Sequence, residues 1–203
     1  MIHLDHLGAA FLYLGPIWRT AFWVSYVAWA VIELGIWSRD RVRVRGKRDD
    51  RFSMLAIALG VTAGIFAAFY GAHVAETRIS APAELLVGLG IVLIWAGVAF
   101  RLWAVRTLGR FFRVTVTTQE DHRLIDTGPY RRLSNPSYTG ALVTMAGIGL
   151  AMGNWASFAG ILICAALGFA WRIRVEEQSL RARFGADFDA YRKARWALIP
   201  PLW

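Results

Sequence analysis

Residues 136–171 read PSYTGALVTMAGIGLAMGNWASFAGILICAALGFAW. Two apolar runs, Pro136–Met152 and Trp155–Trp171, flank the dipeptide Gly153-Asn154. Gly-Asn between apolar segments signals a tight turn, and a proline opening a run suits the first position of a helix. The expectation is a helical hairpin whose arms are short for a membrane crossing unless the bilayer thins locally.

Three longer apolar runs precede it, at about Pro16–Trp37, Phe52–Val74 and Pro82–Ala104. Each is near the ~20 residues that span a bilayer as helix. The 203 residues are 57% hydrophobic, with a mean hydropathy of +0.43. A soluble domain sits nearer ~45–50% apolar. Ten Trp and twelve Phe add aromatic weight suited to membrane interfaces. The expected fold class is therefore all-α integral membrane. It has about five transmembrane helices, the last two a hairpin, plus a cytoplasmic interfacial C-terminal helix.

Charge follows the same partition. The net charge is +9 and the sequence pI about 10.6, which in a soluble protein would suggest nucleic acid. Here seven of the 23 Lys and Arg fall in Ser38–Arg51, six in Ala104–Pro136 and seven in Arg172–Trp203. These are alternate connections, so the positive-inside rule accounts for the charge and no nucleic acid is expected. The rule places the N-terminus outside and the C-terminus in the cytoplasm. Arg19 is expected to snorkel, Arg101 to face the bundle or the cytoplasmic end, and Glu33 and Glu84 to be interfacial. The single Cys164 cannot form an intrachain disulfide. Met1–Gly15 lacks a basic n-region, so no cleavable signal is expected.

Two segments break the pattern. Val114 to Thr117 alternate, and Arg113–Asp126 reads as a short extended excursion at the membrane surface. Glu176–Arg195 reads as a helix interrupted by Gly185, with Leu180, Phe184, Phe188 and Tyr191 on one apolar stripe. Its other faces are basic, as in a helix lying on the cytoplasmic leaflet, and Pro200-Pro201 stops it.

The candidate chemistry clusters near these last segments. Arg172 and Glu176 share a helix face at i, i+4, with Glu177 adjacent. Alone, they make an interfacial ion pair; as a site, the carboxylates would hold an amine and the arginine a carboxylate. Asn135-Pro136-x-Tyr138-x-Gly140 opens a helix whose free N–H groups welcome an anion, or is a plain proline start with an interfacial tyrosine. Gly128-Pro129-Tyr130 alone is a turn signal. Ser-His-Asp, zinc-ligand and Walker-type arrangements are absent, and no metal is expected.

In order, the chain carries His122-x-Leu124-x-x-Thr127-Gly128-x-Tyr130, then Asn-Pro-x-Tyr-x-Gly, then Arg172-x-x-x-Glu176-Glu177-x-x-Leu180, then Phe184-Gly185, Tyr191 and Leu198-Ile199-Pro200. This ordered set, roughly His122 to Pro200, resembles the isoprenylcysteine carboxyl methyltransferase family and the wider group of membrane phospholipid methyltransferases. The first three spans match only in kind. The resemblance implies S-adenosylmethionine (SAM) as methyl donor, bound at the cytoplasmic end of the last two spans, and a lipophilic acceptor entering from the bilayer. It makes 1–203 a single membrane domain, with three N-terminal spans in 1–108 and a cofactor-binding catalytic half in 109–203. It assigns His122, Leu124, Gly128, Tyr130, Asn135, Pro136, Tyr138, Gly140 and Glu177 to the cofactor. Arg172, Glu176, Glu177 and Arg195 become the catalytic candidates. An arginine, Arg172, Arg174 or Arg195, would orient a carboxylate acceptor; a carboxylate such as Glu177 would orient an amine.

One departure stands out. Ser134-Asn135 occupies the place where the carboxyl methyltransferases carry Arg-His. Asn can hydrogen-bond a cofactor but cannot carry a proton, which weakens the prenylcysteine assignment. High Arg usage and brevity suggest a prokaryotic inner membrane, where a lipid or small isoprenoid acceptor is more plausible than a prenylated protein. Two other readings share features with this one. NADPH-dependent membrane sterol and enone reductases have a similar Pro-x-Tyr element and a tail ending near Ile-Pro. A non-catalytic membrane scaffold would need none of the polar pattern. The Glu-Glu pair suits the amino group of SAM better than an anionic dinucleotide.

Overall fold

Long apolar runs without internal proline have one way to satisfy their backbone in lipid, which is to become helices. The computed structural model describes residues 14–43, 52–109 and 124–201. Among them are six α-helices: α1 Pro16–Arg43, α2 Phe52–Gly71, α3 Ala83–Leu108, α4 Pro136–Ala151, α5 Trp155–Phe184 and α6 Ala186–Lys193. Short 3₁₀ turns cover Ala75–Thr77 and Gly128–Arg131. The fold is all-helical, with no strand among the described residues, and the chain is a multi-pass membrane protein.

Four helices are long and apolar enough to cross a membrane: Pro16–Ser38, Met54–Gly71, Ala83–Leu108 and Trp155–Phe184. α4 has 16 residues, about 24 Å at 1.5 Å per residue, against a hydrocarbon core of ~30 Å. It is sheltered instead: eleven of its residues, from Pro136 to Ala151, are buried.

Two boundaries differ from the sequence expectation. α1 runs past Trp37 to Arg43, since arginine is a good helix former and no glycine or proline intervenes. α5 runs past Trp171 to Phe184. It ends only where Gly185 adopts φ +53, a backbone state cheap for glycine alone. The tail expected as a helix over Glu176–Arg195 is thus the end of α5 followed by α6. Most of the expected extended excursion, Arg113–Asp126, lies outside the described residues.

Small residues set the packing. A Cβ added at Gly90 would lie 2.7 Å from the Gly147 carbonyl, and one at Gly140 would lie 2.7 Å from the Arg101 nitrogen. α3 and α4 therefore pack antiparallel with backbones nearly touching. α2 and α5 do the same through Gly60 against Cys164 and Gly71 against Ser157, at 2.7 and 2.8 Å. Lipid tails are as apolar as leucine, so close backbone contact, not apolar burial, drives such pairs together. α1 leans on α3, where the Trp95 indole donates to Ser25 Oγ at 3.2 Å.

The two ends of the bundle are tied differently. At one end the buried Asn154 caps α5, accepting from the Ala156 and Ser157 nitrogens at 2.8 and 3.4 Å. Asn154 Oδ1 also accepts from Thr77 Oγ1 at 2.7 Å, and its Nδ2 donates to the Val74 carbonyl at 2.7 Å. At the opposite end the tail folds back: Trp196 N donates to Arg132 O at 3.0 Å, and Ser134 N to Trp196 O at 2.8 Å.

Candidate active site

Pro136 at the first position of α4 and the uninterrupted register of α5 bring Tyr138 and Arg172 face to face. The Tyr138 hydroxyl donates to Glu176 Oε1 at 3.0 Å. Arg172 Nε donates to the same oxygen at 3.0 Å, and its second guanidinium nitrogen approaches it at 2.8 Å. Arg172 Nε also lies 3.3 Å from the Tyr138 hydroxyl. Phe169, one turn before Arg172, packs a tilted ring on Tyr138 with centroids 5.2 Å apart. Arg172 is wholly buried, while the Glu176 side chain keeps 22% of its surface.

Glu177 points to the tail. Its Oε1 accepts from Arg192 Nε of α6 at 2.6 Å. Arg192 also donates to the Arg195 carbonyl at 3.0 Å. The expectation that Arg195 orients an acceptor meets a side chain already engaged. It donates to the Tyr130 carbonyl at 2.7 Å and to the Tyr191 carbonyl at 2.8 Å, and stacks 3.9 Å above the Tyr191 ring. Arg195 is a clasp between the tail and the turn at Gly128–Arg131. The Tyr191 hydroxyl donates in turn to Ile125 O at 2.9 Å, fixing the segment that follows Leu124.

The other expected residues divide by position. Tyr130 is buried; burial first, then Tyr191 and Glu176, push its hydroxyl well above the usual tyrosine range, so it stays a neutral donor. Asn135 takes the position before α4, yet its amide makes no capping bond and donates to Ser134 Oγ at 3.0 Å. Its backbone N–H donates to Ala197 O at 3.1 Å. Gly140, which can let another backbone or a ring approach closely, is approached by the backbone of α3 at Arg101. Pro136 is buried, Leu124 is half-buried and Gly128 is exposed. His122 lies outside the described residues. Arg174 is exposed, on the face away from Tyr138.

Several partners were not anticipated. Glu33, expected to be interfacial, pairs through both oxygens with Arg101, at 2.6 and 2.9 Å. Arg101 in turn holds Ser137, next to Tyr138, through its hydroxyl at 2.7 Å and carbonyl at 3.1 Å. Thr139 Oγ1 donates to Leu198 O at 2.8 Å. The available signal was a charge within each apolar run, since intramembrane charges usually find partners.

The donor set fits SAM. Among the described residues every contact of Glu176 and Glu177 falls on Oε1, so each carboxylate keeps its second oxygen for an ammonium or a ribose hydroxyl. The Asn135 amide, unused as a cap, supplies neutral hydrogen bonds. No group of three His, Cys, Asp or Glu that could hold a metal occurs among the described residues.

The comparisons with known proteins point to the same segment. The phospholipid methyltransferase family matches residues 85–187. A probable protein-S-isoprenylcysteine O-methyltransferase of Oryza sativa subsp. indica is 31% identical over 105 residues, 51% of this chain and 55% of that protein. Protein-S-isoprenylcysteine O-methyltransferase A of Arabidopsis thaliana is 30% identical over 113 residues, 55% of this chain and 57% of that protein. The Saccharomyces cerevisiae protein-S-isoprenylcysteine O-methyltransferase is 33% identical over 119 residues, 58% of this chain and 50% of that protein. The chain thus spans about half the length of these curated relatives. Among solved structures, the eukaryotic intramembrane Ras methyltransferase, an isoprenylcysteine carboxyl methyltransferase, shares the fold. Its TM-score is 0.55 at 20% identity, covering 76% of this chain and 54% of that one. With half of its residues matched by the family, the chain belongs to the phospholipid methyltransferase family and is similar to the isoprenylcysteine carboxyl methyltransferases.

Proposed function

We propose that this protein is a SAM-dependent methyltransferase acting on a lipophilic acceptor at the cytoplasmic face of the membrane. The observation that carries the reading is the cluster of Tyr138 and Glu176 around the buried Arg172, with Glu177 beside it, inside the segment shared with the family. The positive-inside charge pattern supports five crossings, α4 included, with the N-terminus outside. Composition supports a prokaryotic inner membrane, and Asn135 in place of a basic residue supports a lipid or small isoprenoid acceptor.

When bound, SAM supplies a methyl group already activated on a sulfonium, so the protein needs little covalent chemistry. Its task is alignment and water exclusion, which together are worth several kcal/mol of barrier. The free oxygens of Glu176 and Glu177 hold the amino end of the donor. Arg172 fixes Glu176 in one rotamer and neutralises it. Tyr138 and Phe169 wall the site on the lipid side. The neutral Tyr130 hydroxyl and the Asn135 amide hydrogen-bond without taking a proton. The pair of Glu177 with Arg192 of α6 and the bond from Arg195, just beyond α6, to the Tyr130 carbonyl hold the tail against the site.

The test is calorimetric titration of detergent-purified protein with SAM and, separately, NADPH, repeated on Glu177→Ala. Micromolar SAM binding that the variant loses supports the site and justifies an acceptor screen with labelled methyl donor. NADPH binding without SAM binding would replace it with the reductase reading. Binding of neither by folded protein would favour a scaffold.

A further inference from the structure

α1 lies outside the segment matched by the family, which begins at residue 85, yet it reaches the site. Glu33 sits on α1, in a helix that otherwise offers lipid a row of exposed Val24, Val27, Val31 and Leu34. One of its oxygens accepts a hydrogen bond from a terminal nitrogen of Arg101 on α3 at 2.9 Å, and the other lies 2.6 Å from Arg101 Nε as an ion contact outside hydrogen-bond geometry. Arg101 is 8% exposed. Its remaining terminal nitrogen grips Ser137 of α4 at both the hydroxyl and the carbonyl. Ser137 immediately precedes Tyr138, whose hydroxyl completes the contacts of Glu176. Polar contacts therefore run from α1 through α3 to Ser137 in the first turn of α4, and the next residue, Tyr138, makes the contact to α5.

A charge pair in an apolar bundle is costly, and replacing it by packed apolar side chains is often neutral or stabilising. Stability alone gives little reason for it here. The geometry supplies direction: Glu33 holds one terminal nitrogen of Arg101 and Ser137 accepts from the other, which sets the guanidinium plane between α1 and the first turn of α4. We infer that Glu33 and Arg101 are positioning residues for the candidate site, holding the first turn of α4 so that the Tyr138 hydroxyl stays on Glu176. The role rests on the methyltransferase reading only in what the site binds. The geometry it controls exists without a ligand.

The experiment uses full-length protein carrying 3-fluorotyrosine, with the Tyr138 fluorine resonance assigned by its loss in Tyr138→Phe. Arg101→Met and Glu33→Gln are compared with Arg101→Lys, which keeps the charge but not the two terminal nitrogens that reach Glu33 and Ser137. Asn154→Ala, at the far end of the bundle, reports general loosening. Arg101→Met and Glu33→Gln are expected to move the Tyr138 resonance and to weaken SAM binding at least about tenfold, as small misplacements in a site do. Arg101→Lys should restore part of both, and Asn154→Ala should change neither. Should Arg101→Met not fold, Glu33→Gln gives the same readings with the side-chain volume kept. An unmoved resonance and unchanged SAM affinity in the folded variants would overturn the inference. Wild-type protein that binds no SAM would instead overturn the methyltransferase reading, while the resonance still decides the positioning role.

Discussion

Removing Glu176 should cost far more stability than removing Arg172, although the two form one ion pair. Glu176 Oε1 accepts from Arg172 at 2.8 and 3.0 Å and from Tyr138 at 3.0 Å. The burial is unequal: the arginine side chain has no exposed surface and the glutamate keeps 22%. Glu176→Ala breaks the ion pair with the buried guanidinium and deletes the acceptor of the Tyr138 hydroxyl, which costs about 3–5 kcal/mol. Arg172→Met removes the buried charge, fills the stem volume with a flexible apolar chain, and leaves a carboxylate that can draw in water. That change should cost about 1 kcal/mol. The double variant removes both charges, so it should resemble Arg172→Met, with a coupling of about 3–5 kcal/mol. The assay is a double-mutant cycle of unfolding by SDS in mild detergent micelles, followed by ellipticity and by the fluorescence of the ten tryptophans. Equal costs, or a costlier Arg172→Met, would refute the assignment of the buried partner.

Three further outcomes are expected. Burial pushes the Tyr191 hydroxyl up to about 12, whereas the unfolded chain releases that proton near 10. Its contribution is therefore intact below pH 10 and lost as pH rises from 10 to 12, and Tyr191→Phe should flatten the decline of the unfolding midpoint over that window. Gly90→Ala places a Cβ 2.7 Å from the Gly147 carbonyl and should cost about 1–3 kcal/mol. Gly88→Ala meets only Trp18 at 3.5 Å and should stay within about 0.5 kcal/mol in the same SDS titration. Asn154→Ala loses the α5 cap and the bonds to Val74 and Thr77. It should cost about 2 kcal/mol or more, with hydrogen exchange rising first around 74–80.

Much of the hairpin was legible because its signals are local. Pro136 opens α4, Gly153-Asn154 turns the chain, and both act through backbone chemistry that neighbours in sequence decide. The end of α5 was not legible from hydropathy. An apolar run reports where lipid lies, and the helix continues through Arg172, Arg174 and Glu176 because charge does not stop a helix. Arg172 and the Glu-Glu pair were visible as candidates, but the pairing of Glu176 with Arg172 and Tyr138 and of Glu177 with Arg192 depends on what α4 and α6 place opposite them. Arg195 was one of three arginines that could orient a carboxylate acceptor, and only the fold shows it set on Tyr191 and the Tyr130 carbonyl. Glu33 and Arg101 are 68 residues apart, and nothing in a local pattern pairs them.

α5 carries a consequence for the protein's lipid surroundings. Its 30 residues make a rod of about 45 Å, half as long again as a ~30 Å hydrocarbon core. No glycine kink or proline hinge divides the crossing portion from the portion bearing Glu176 and Glu177. The height of these carboxylates above the acyl chains is then set by how deeply the rod sits, with the exposed Trp155 and Trp171 as its interfacial floats. A thicker bilayer draws the carboxylates toward the hydrocarbon, and a thinner one lifts them or tilts the rod. Acyl-chain length in reconstituted vesicles thereby becomes a dial on the site, turned without touching any residue.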